Sequence, residues 1–208
     1  YMVTTYSKNI SVVSGESFEA DYALSQIATP VDAKITKDNK FLIVTACDST
    51  MLNIISIADD RVIKQLDLTS QGGDIVMDYD NNKAYISTPS ASTIYVLDTN
   101  TMTLTQRIRV NGRCERLSLN GKYLMYVDRL SDNVWSVELG NNYTLRNLGT
   151  FPNISKVLFN EGKVYLASRT KSRIAVLDYN ERKLITEFAT VEKPVDMMIY
   201  RDILYVLG

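Results

Sequence analysis

Short apolar runs separated by polar turns recur along the chain and predict β-strands joined in hairpins. One set of runs lies at residues 40–45, 83–88, 122–127 and 163–168, and a second follows at 53–57, 93–98, 133–137 and 173–178. A third set, at 62–66, 104–108, 143–148 and 184–188, alternates apolar with polar residues, as an outer strand with one wet face does. The turns before the first set contain Asn or Gly, which tolerate left-handed backbone angles. With a further strand before each of these turns, the pattern predicts units of four antiparallel strands.

These units repeat five times. The equivalent positions are Ile10, Ile54, Ile94, Val134 and Ile174, with steps of 44, 40, 40 and 40 residues. A period of about 40–45 residues with four short strands per unit is typical of β-propeller blades, which bury their faces against their neighbours. The sequence therefore predicts an all-β β-propeller of four-stranded antiparallel blades, either a five-bladed ring or a segment of a larger propeller.

The repeat runs through the chain without an intervening linker, which predicts a single domain over residues 1–208. The expected repeats are approximately 30–68, 72–110, 112–149 and 154–190, together with a composite of 1–24 and 193–208. Residues 1–4 and 205–208 align with the same strand of the repeat. The composite blade would close a five-bladed ring, whereas a segment of a larger ring would be cut within a blade at both ends.

Two segments carry a more specific motif. Residues 29–33 and 193–197 both place Pro and Asp before a predicted innermost strand, and charged turns follow at 37–40 and 201–202. This pattern resembles the YVTN-type family of bacterial and archaeal β-propellers, with a more distant similarity to the haem-binding propeller of nitrite reductase. The resemblance implies a binding scaffold in an extracytoplasmic compartment, either periplasmic or at the cell surface.

Charge and hydropathy give no indication of a nucleic acid or membrane partner. The chain has 23 basic and 24 acidic residues, a formal net charge of −1, so a nucleic acid partner is not expected. The sequence contains no run of eighteen apolar residues, and a transmembrane helix is not expected either.

The sequence contains no histidine, which excludes several kinds of site. Ser-His-Asp and Cys-His nucleophilic sites, His-ligated zinc and His-ligated haem all need that side chain. We therefore predict a noncatalytic protein with no cofactor and no metal; a carboxylate-based lyase or hydrolase is the remaining enzymatic alternative. Cys47 and Cys114 lie two repeats apart, too far for the Cα separation of about 7 Å that a disulfide allows, so we expect two unpaired, partly buried thiols.

Acidic residues occupy one position in four of the five repeats, where the chain enters the innermost strand. They are Asp32, Asp74, Glu115 and Asp196, and Ser155 takes the fifth position. Oxygen ligands converging on an axis would suit a cation. An Asp after Pro also caps a turn by accepting backbone N–H groups, and the sequence favours this second interpretation.

Basic residues cluster in loops predicted for the same face. They are Arg113 and Arg116 before one innermost strand, Arg129 in the loop that follows, and Arg169, Lys171 and Arg173 in the next repeat. Such a rim would suit an acidic ligand or protein, although charged loops are also ordinary solvated surface. The loop at 46–52 carries Met51 and Leu52, which would either contact a partner or fold inward.

Variable loops on a regular scaffold are where binding usually resides. We therefore predict a noncatalytic binding or assembly scaffold that presents the loops of one propeller face to a protein partner. The alternative is a propeller that binds a small-molecule ligand or cofactor, linked to periplasmic respiratory metabolism. That alternative depends on the family resemblance alone.

Overall fold

A computed structural model describes residues 2–4, 9–13, 19–24, 26–140 and 142–208 of the chain. Within these residues the secondary structure is 21 β-strands and one three-residue 3₁₀ turn, Pro89–Ala91. None of the helical structure in these ranges has the length and apolar character needed to span a bilayer.

The chain divides into two units, residues 1–109 and 110–208, called unit 1 and unit 2 below. In the part of unit 1 that the structure describes, there are a three-stranded sheet and two four-stranded sheets. Their strands are β1 (Met2–Thr4), β2 (Asn9–Val13) and β3 (Ala20–Leu24); β4 (Pro30–Ile35), β5 (Phe41–Ala46), β6 (Met51–Ser56) and β7 (Arg61–Asp67); and β8 (Ile75–Asp78), β9 (Lys83–Thr88), β10 (Thr93–Asp98) and β11 (Thr103–Arg109).

The described residues of unit 2 form two four-stranded sheets and a two-stranded sheet. Their strands are β12 (Cys114–Asn120), β13 (Tyr123–Asp128), β14 (Asn133–Glu138) and β15 (Thr144–Thr150); β16 (Ile154–Asn160), β17 (Lys163–Ser168), β18 (Arg173–Asp178) and β19 (Leu184–Ala189); and β20 (Asp196–Tyr200) and β21 (Ile203–Leu207).

Every four-stranded sheet is an antiparallel meander in which neighbouring strands follow one another along the chain. This is the predicted blade, and several predicted strands, such as β9 and β17, match the observed bounds. The predicted hairpin turns are also confirmed, because Asn39, Asn82 and Gly162 have φ values of +58°, +51° and +74° in the left-handed region.

Burial along the strands follows their place in the sheet. The second strands are buried at nearly every position, since both of their faces are covered, whereas the fourth strand β7 alternates between exposed and half-buried residues. In unit 2, Met125 and Val134 of the β12–β15 sheet share one apolar cluster with Val157 and Leu166 of the β16–β19 sheet. Successive sheets of this unit therefore pack face to face, and each fully buried aliphatic side chain contributes about 1.5–3 kcal/mol.

The structure decides between the two interpretations of the loop at 46–52. Met51 begins β6 and is half-buried, and Leu52 is fully buried in an apolar cluster of unit 1, so the Leu52 side chain folds inward. The predicted burial of the two cysteines needs a correction. Neither thiol forms a disulfide, but Cys47 is exposed at a turn and Cys114 is buried at the start of β12, where both were expected to be partly buried.

Among the described residues, the first and last sheets along the chain have fewer strands than the four sheets between them. β1–β3 form one sheet and β20–β21 form another. The composite of residues 1–24 and 193–208 stays a prediction, as does the choice between a five-bladed ring and a segment of a larger propeller. Residues 1, 5–8, 14–18 and 25 lie outside the described residues, and most of them belong to that composite.

Candidate binding face

The loop after each second strand and the segment before each first strand lie at the same end of a sheet. In three sheets, one backbone hydrogen bond joins them. The bonds run from Cys47 N–H to the Thr29 carbonyl (3.1 Å), from Arg129 N–H to the Arg113 carbonyl (3.0 Å), and from Arg169 N–H to the Asn153 carbonyl (3.1 Å). Within each sheet, the predicted loop residues therefore share one end with the residues that enter the first strand.

Asp128 fixes one of these loops. Its Oδ1 accepts the backbone N–H groups of Arg113 (2.7 Å) and Leu130 (3.0 Å), and its Oδ2 accepts the hydroxyl of Ser131. Gly112 makes room for the carboxylate, because a Cβ at that position would lie 2.1 Å from Asp128 Cγ. The turn at residues 129–132 is thus held at its base by one buried side chain.

These bonds also determine the protonation of Asp128. Burial alone would raise the pKa of the carboxyl, but the Ser131 hydroxyl and the N–H groups of Leu130 and Arg113 all stabilise the charged form. The net effect holds the pKa of Asp128 below its ordinary value. The carboxylate is therefore ionised, as an acceptor of three hydrogen bonds requires.

Glu115 lies between two arginines above this turn. Its Oε1 is 3.0 Å from Arg113 Nε and its Oε2 is 3.5 Å from Arg129 Nε. Exposed ion pairs of this kind contribute at most about 1 kcal/mol to stability, because solvent screens them. Their effect here is to orient two guanidinium groups around one carboxylate, which leaves the group with a net positive charge.

Leu130 stands at the tip of the same turn. Its side chain is 79% exposed, the largest fraction among the large apolar side chains of the described residues. Sequence reasoning did not select Leu130, although an aliphatic residue inside the polar run Asp-Arg-Leu-Ser-Asp was a visible signal. An exposed leucine on a fixed turn offers apolar surface whose burial by a partner would be favourable.

The turn at residues 169–172 forms a second part of this surface. Ser172 accepts the N–H of Thr190 at its carbonyl (3.0 Å) and the N–H of Lys193 at Oγ (3.2 Å), which holds the turn against residues 190–193. Between them lies an open polar pocket of about 600 Å³. Its lining residues are Arg169, Thr170, Ser172, Glu192 and Lys193. Lys171 is exposed in this turn, and the exposed Arg173 begins β18.

Asn153 connects the two turns. Its N–H lies 3.4 Å from Asp132 Oδ1, and its carbonyl accepts the N–H of Arg169. The carbonyl of Asp132 also accepts the N–H of Phe151 (2.8 Å). Residues 128–132, 169–172 and 190–193 therefore form one continuous surface of unit 2, called the binding face below.

Arg116 does not lie where the sequence predicted it. It belongs to β12, at the irregularity in pairing between Glu115 and Ser118, with a φ of +60° and a half-buried side chain. A bulge inserts an extra residue into one strand and gives it an unusual backbone conformation. Arg116 is therefore a strand residue, whereas the expected position was in the loop before the strand.

The acidic positions form hydrogen bonds within and between first strands. Asp32 Oδ1 accepts the N–H of Ala33 and Oδ2 accepts the N–H of Ile75, both at 2.8 Å, so this side chain ties β4 to β8. Ser155 ties adjacent segments in unit 2, because its hydroxyl donates to the Pro194 carbonyl at 2.5 Å. The acidic residue and its serine counterpart thus both join one blade to the next.

Asp196 and Asp74, at two of the other acidic positions, also contact nearby groups. Asp196 Oδ1 accepts the N–H of Met197 (2.8 Å) and lies 3.0 Å from Lys156 Nζ. The carbonyl of Asp74 accepts the N–H of Ser87 (3.0 Å). Asp32 and Asp74 lie in unit 1, and Glu115 and Asp196 lie in unit 2. Across the part of the chain that the structure describes, no three acidic or cysteine side chains are grouped as a metal site would require.

Comparison with family models and with curated protein sequences gives no match. Several solved structures share the fold. They include a dihydro-heme d1 dehydrogenase, NirN, in complex with DHE (10% identity, 96% of this chain and 46% of that chain, TM-score 0.71). They also include a functionally unknown protein from Desulfotomaculum acetoxidans (16% identity, 99% of this chain and 71% of that chain, TM-score 0.78). A third is the β-propeller domain of Cps50 (Swd1) from Myceliophteria thermophila (11% identity, 82% of this chain and 58% of that chain, TM-score 0.67).

The chain spans less than half of the NirN chain and somewhat more than half of the Swd1 chain. At these identities the likeness shows the fold alone. Together with the four-stranded antiparallel meanders, it shows that the chain has a β-propeller fold.

Proposed function

We propose that the chain is a noncatalytic binding or assembly scaffold that presents the binding face of unit 2 to a protein partner. The observation that carries the proposal is the exposure of Leu130 on a turn fixed by Asp128. Removing a leucine side chain from water supplies about 1.5–3 kcal/mol. Because folding has already ordered the turn, a partner does not have to meet that cost on binding.

The charges around Leu130 favour an acidic partner segment. The binding face and its edge carry more cations than anions; they are Arg113, Arg129, Arg169, Lys171, Arg173 and Lys193 against Glu115, Asp128, Asp132 and Glu192. Arginine is also enriched among residues that dominate binding energy at interfaces. An acidic segment would be attracted over several ångströms, and its association would be faster at low salt.

Affinity capture with matched variants tests this proposal. The purified chain is immobilised as wild type, as Leu130→Asp and as Ile63→Asp, in which Ile63 is an exposed apolar residue of β7 in unit 1. Proteins retained from the source cells are quantified by mass spectrometry. We expect a protein retained by wild type and Ile63→Asp and lost with Leu130→Asp. Equal retention by all three forms would contradict the assignment of the face.

A second variant tests the electrostatic part. Replacing Arg113, Arg129, Arg169 and Arg173 with Ala removes four cations while leaving Leu130 in place. We expect weaker capture that depends less on salt concentration. Unchanged capture and unchanged salt dependence would show that these arginines are ordinary solvated surface.

A small-molecule ligand is the second candidate, and the polar pocket of about 600 Å³ supports it. Arg169 and Lys193 would bind an anionic group there, and Thr170 and Ser172 offer hydroxyls. The fold is similar to that of NirN, which was solved in complex with DHE, and we include a role in respiratory metabolism in this second proposal. The visible absorption spectrum before and after adding haem is the test. A shift lost with Arg169→Ala would support it, and an unchanged spectrum would contradict a haem-type ligand.

The proposal also includes a particular propeller family and a cellular compartment. The forty-residue period and the Pro-Asp motifs at 30–32 and 194–196 support a YVTN-type propeller located outside the cytoplasm. Fractionation of the source cells, followed by detection of this chain, tests the compartment. The absence of histidine from the sequence supports a noncatalytic role, because the commonest general base is missing.

A further inference from the structure

Two Asn-Gly sequences occur in the chain, at residues 111–112 and 120–121. Asparagine is chemically least stable before glycine, because glycine has no Cβ to shield the backbone nitrogen that attacks the asparagine carboxamide. The first sequence lies just before β12, and the second begins at the last residue of that strand. The structure holds the two asparagine side chains to very different degrees.

Asn120 is held by its neighbours. It lies opposite Tyr123 in the pairing of β12 with β13, and its carboxamide nitrogen donates to the Phe159 carbonyl at 2.8 Å. An attack by the backbone nitrogen of Gly121 would require this hydrogen bond to break and the paired end of the strand to move. Folding should therefore protect Asn120.

Asn111 is held only through its backbone. Its N–H donates to the Tyr126 hydroxyl, and its carbonyl accepts the same hydroxyl, both at 3.1 Å. Tyr126 is fully buried, whereas Asn111 is exposed in the bend before β12. Among the described residues, the carboxamide of Asn111 takes part in no hydrogen bond. This side chain is therefore free to turn toward the nitrogen of Gly112.

We infer that Asn111 is a site of spontaneous deamidation through a cyclic imide. The backbone nitrogen of Gly112 attacks Cγ of Asn111 and forms a carbon–nitrogen bond. The carboxamide nitrogen leaves as ammonia and takes the proton that the Gly112 nitrogen loses. Water then opens the imide at one of its two carbonyls and yields aspartate or isoaspartate. Water is the only co-reactant, and nothing is oxidised or reduced.

The isoaspartate product would disturb the turn that carries Leu130. Its main chain runs through the former side-chain carbonyl and is one carbon longer than in the native chain. Tyr126 fixes the backbone of Asn111, and Asp128 accepts the N–H of Arg113 two residues later. The extra carbon lies between these two fixed points, so at least one of them has to move. The modification does not depend on the proposed function; only a loss of partner binding would rest on it.

One tryptic digest measures both sites, because it releases them in separate peptides, residues 110–113 and 117–122. The full chain is incubated at neutral to mildly alkaline pH, and the aspartate and isoaspartate forms of each peptide are quantified by chromatography and mass spectrometry. In the folded chain, we expect conversion at Asn111 at least about threefold faster than at Asn120, which must first break its bond to Phe159. In guanidinium chloride, which unfolds the chain, the two rates should become similar.

Asn111→Gln is the control variant, because glutamine forms the larger cyclic imide far more slowly. It should leave residues 110–113 unconverted and the rate at Asn120 unchanged. Conversion at Asn111 that is no faster than at Asn120 in the folded chain would overturn the inference. A ratio of the two rates that unfolding leaves unchanged would also overturn it, since the structure would then protect neither site.

Urea unfolding of the separated isoaspartate form tests the effect on the turn without any partner. We expect a lower midpoint than for the fresh chain, because the contacts of Tyr126 and Asp128 on either side of the longer main chain are strained or lost. Identical unfolding curves for the two forms would overturn the predicted displacement.

Discussion

Asp128 and Gly112 determine the shape of the turn that carries Leu130. The carboxylate accepts three hydrogen bonds at the base of the turn, and it fits only because residue 112 has no Cβ. Gly112 also has a φ of +67°, which other residues adopt at a cost. Gly112, just before β12, and Asp128, at the end of β13, thus hold the proposed anchor in place.

The substitution Gly112→Ala separates the steric from the conformational contribution. The left-handed backbone costs alanine about 1–2 kcal/mol. Displacement of Asp128 leaves N–H groups without their acceptor and adds about 1–3 kcal/mol. Gly121→Ala is the matched control, because Gly121 has a φ of +54° and a Cβ added there would meet no atom within 4 Å. Urea unfolding should show a distinctly larger loss for Gly112→Ala, and equal losses would contradict the role given to Asp128.

The lowered pKa of Asp128 predicts a pH dependence of stability. A carboxyl whose pKa is lower in the folded than in the unfolded chain stabilises the fold above its unfolded pKa, and the stabilisation disappears as pH falls through the folded pKa. The ordinary pKa of an aspartate side chain is 3.8. The difference in free energy of unfolding between wild type and Asp128→Asn should be largest above about pH 4 and shrink at lower pH. A difference that does not change as the pH is lowered through this range would exclude this ionisation as its source.

Between elements, hydrogen bonds from side chains join the first strand of one blade to the next. Asp32 accepts from Ile75, and Ser155 donates to Pro194. The same position of the repeat thus forms a hydrogen bond between blades, as an acceptor in Asp32 and as a donor in Ser155. The bond complements the face-to-face apolar packing of the blades of unit 2.

Ser155→Ala tests the contribution of this bond. The substitution leaves the Pro194 carbonyl without its donor in a buried position and should lower the free energy of unfolding by about 1–3 kcal/mol. Ser90→Ala, at an exposed site in the 3₁₀ turn, should change stability by less than about 0.5 kcal/mol. Equal unfolding curves for the two variants would show that the bond contributes nothing measurable.

Across the whole molecule, the sequence predicted those features that depend on local patterns of residues. The blades and turns follow from alternation and from residues such as Asn39 and Asn82, whose conformations depend on their immediate neighbours. The bulge at Arg116 and the cap from Asp128 to Arg113 depend on pairing between separate strands, which spacing alone does not reveal. Leu52 was ambiguous for the same reason, since its burial is decided by the packed sheets around it.

The charge of the binding face predicts the kinetics of partner association. An acidic partner should associate more slowly as salt rises from about 0.05 to 0.5 M, because the Debye length shortens over this range. Leu130→Ala should mainly accelerate dissociation, since apolar contact forms after encounter. Surface plasmon resonance with the captured partner measures both rates. A salt-independent association rate would indicate that the cations do not guide the partner.

The affinity of the captured partner for three purified forms of the chain tests the central claim most directly. Wild type and Ile63→Asp should bind equally, and Leu130→Asp should bind at least about tenfold more weakly while unfolding at the same urea concentration as wild type. Equal affinity of Leu130→Asp and wild type would contradict the claim that this turn of unit 2 presents the binding face.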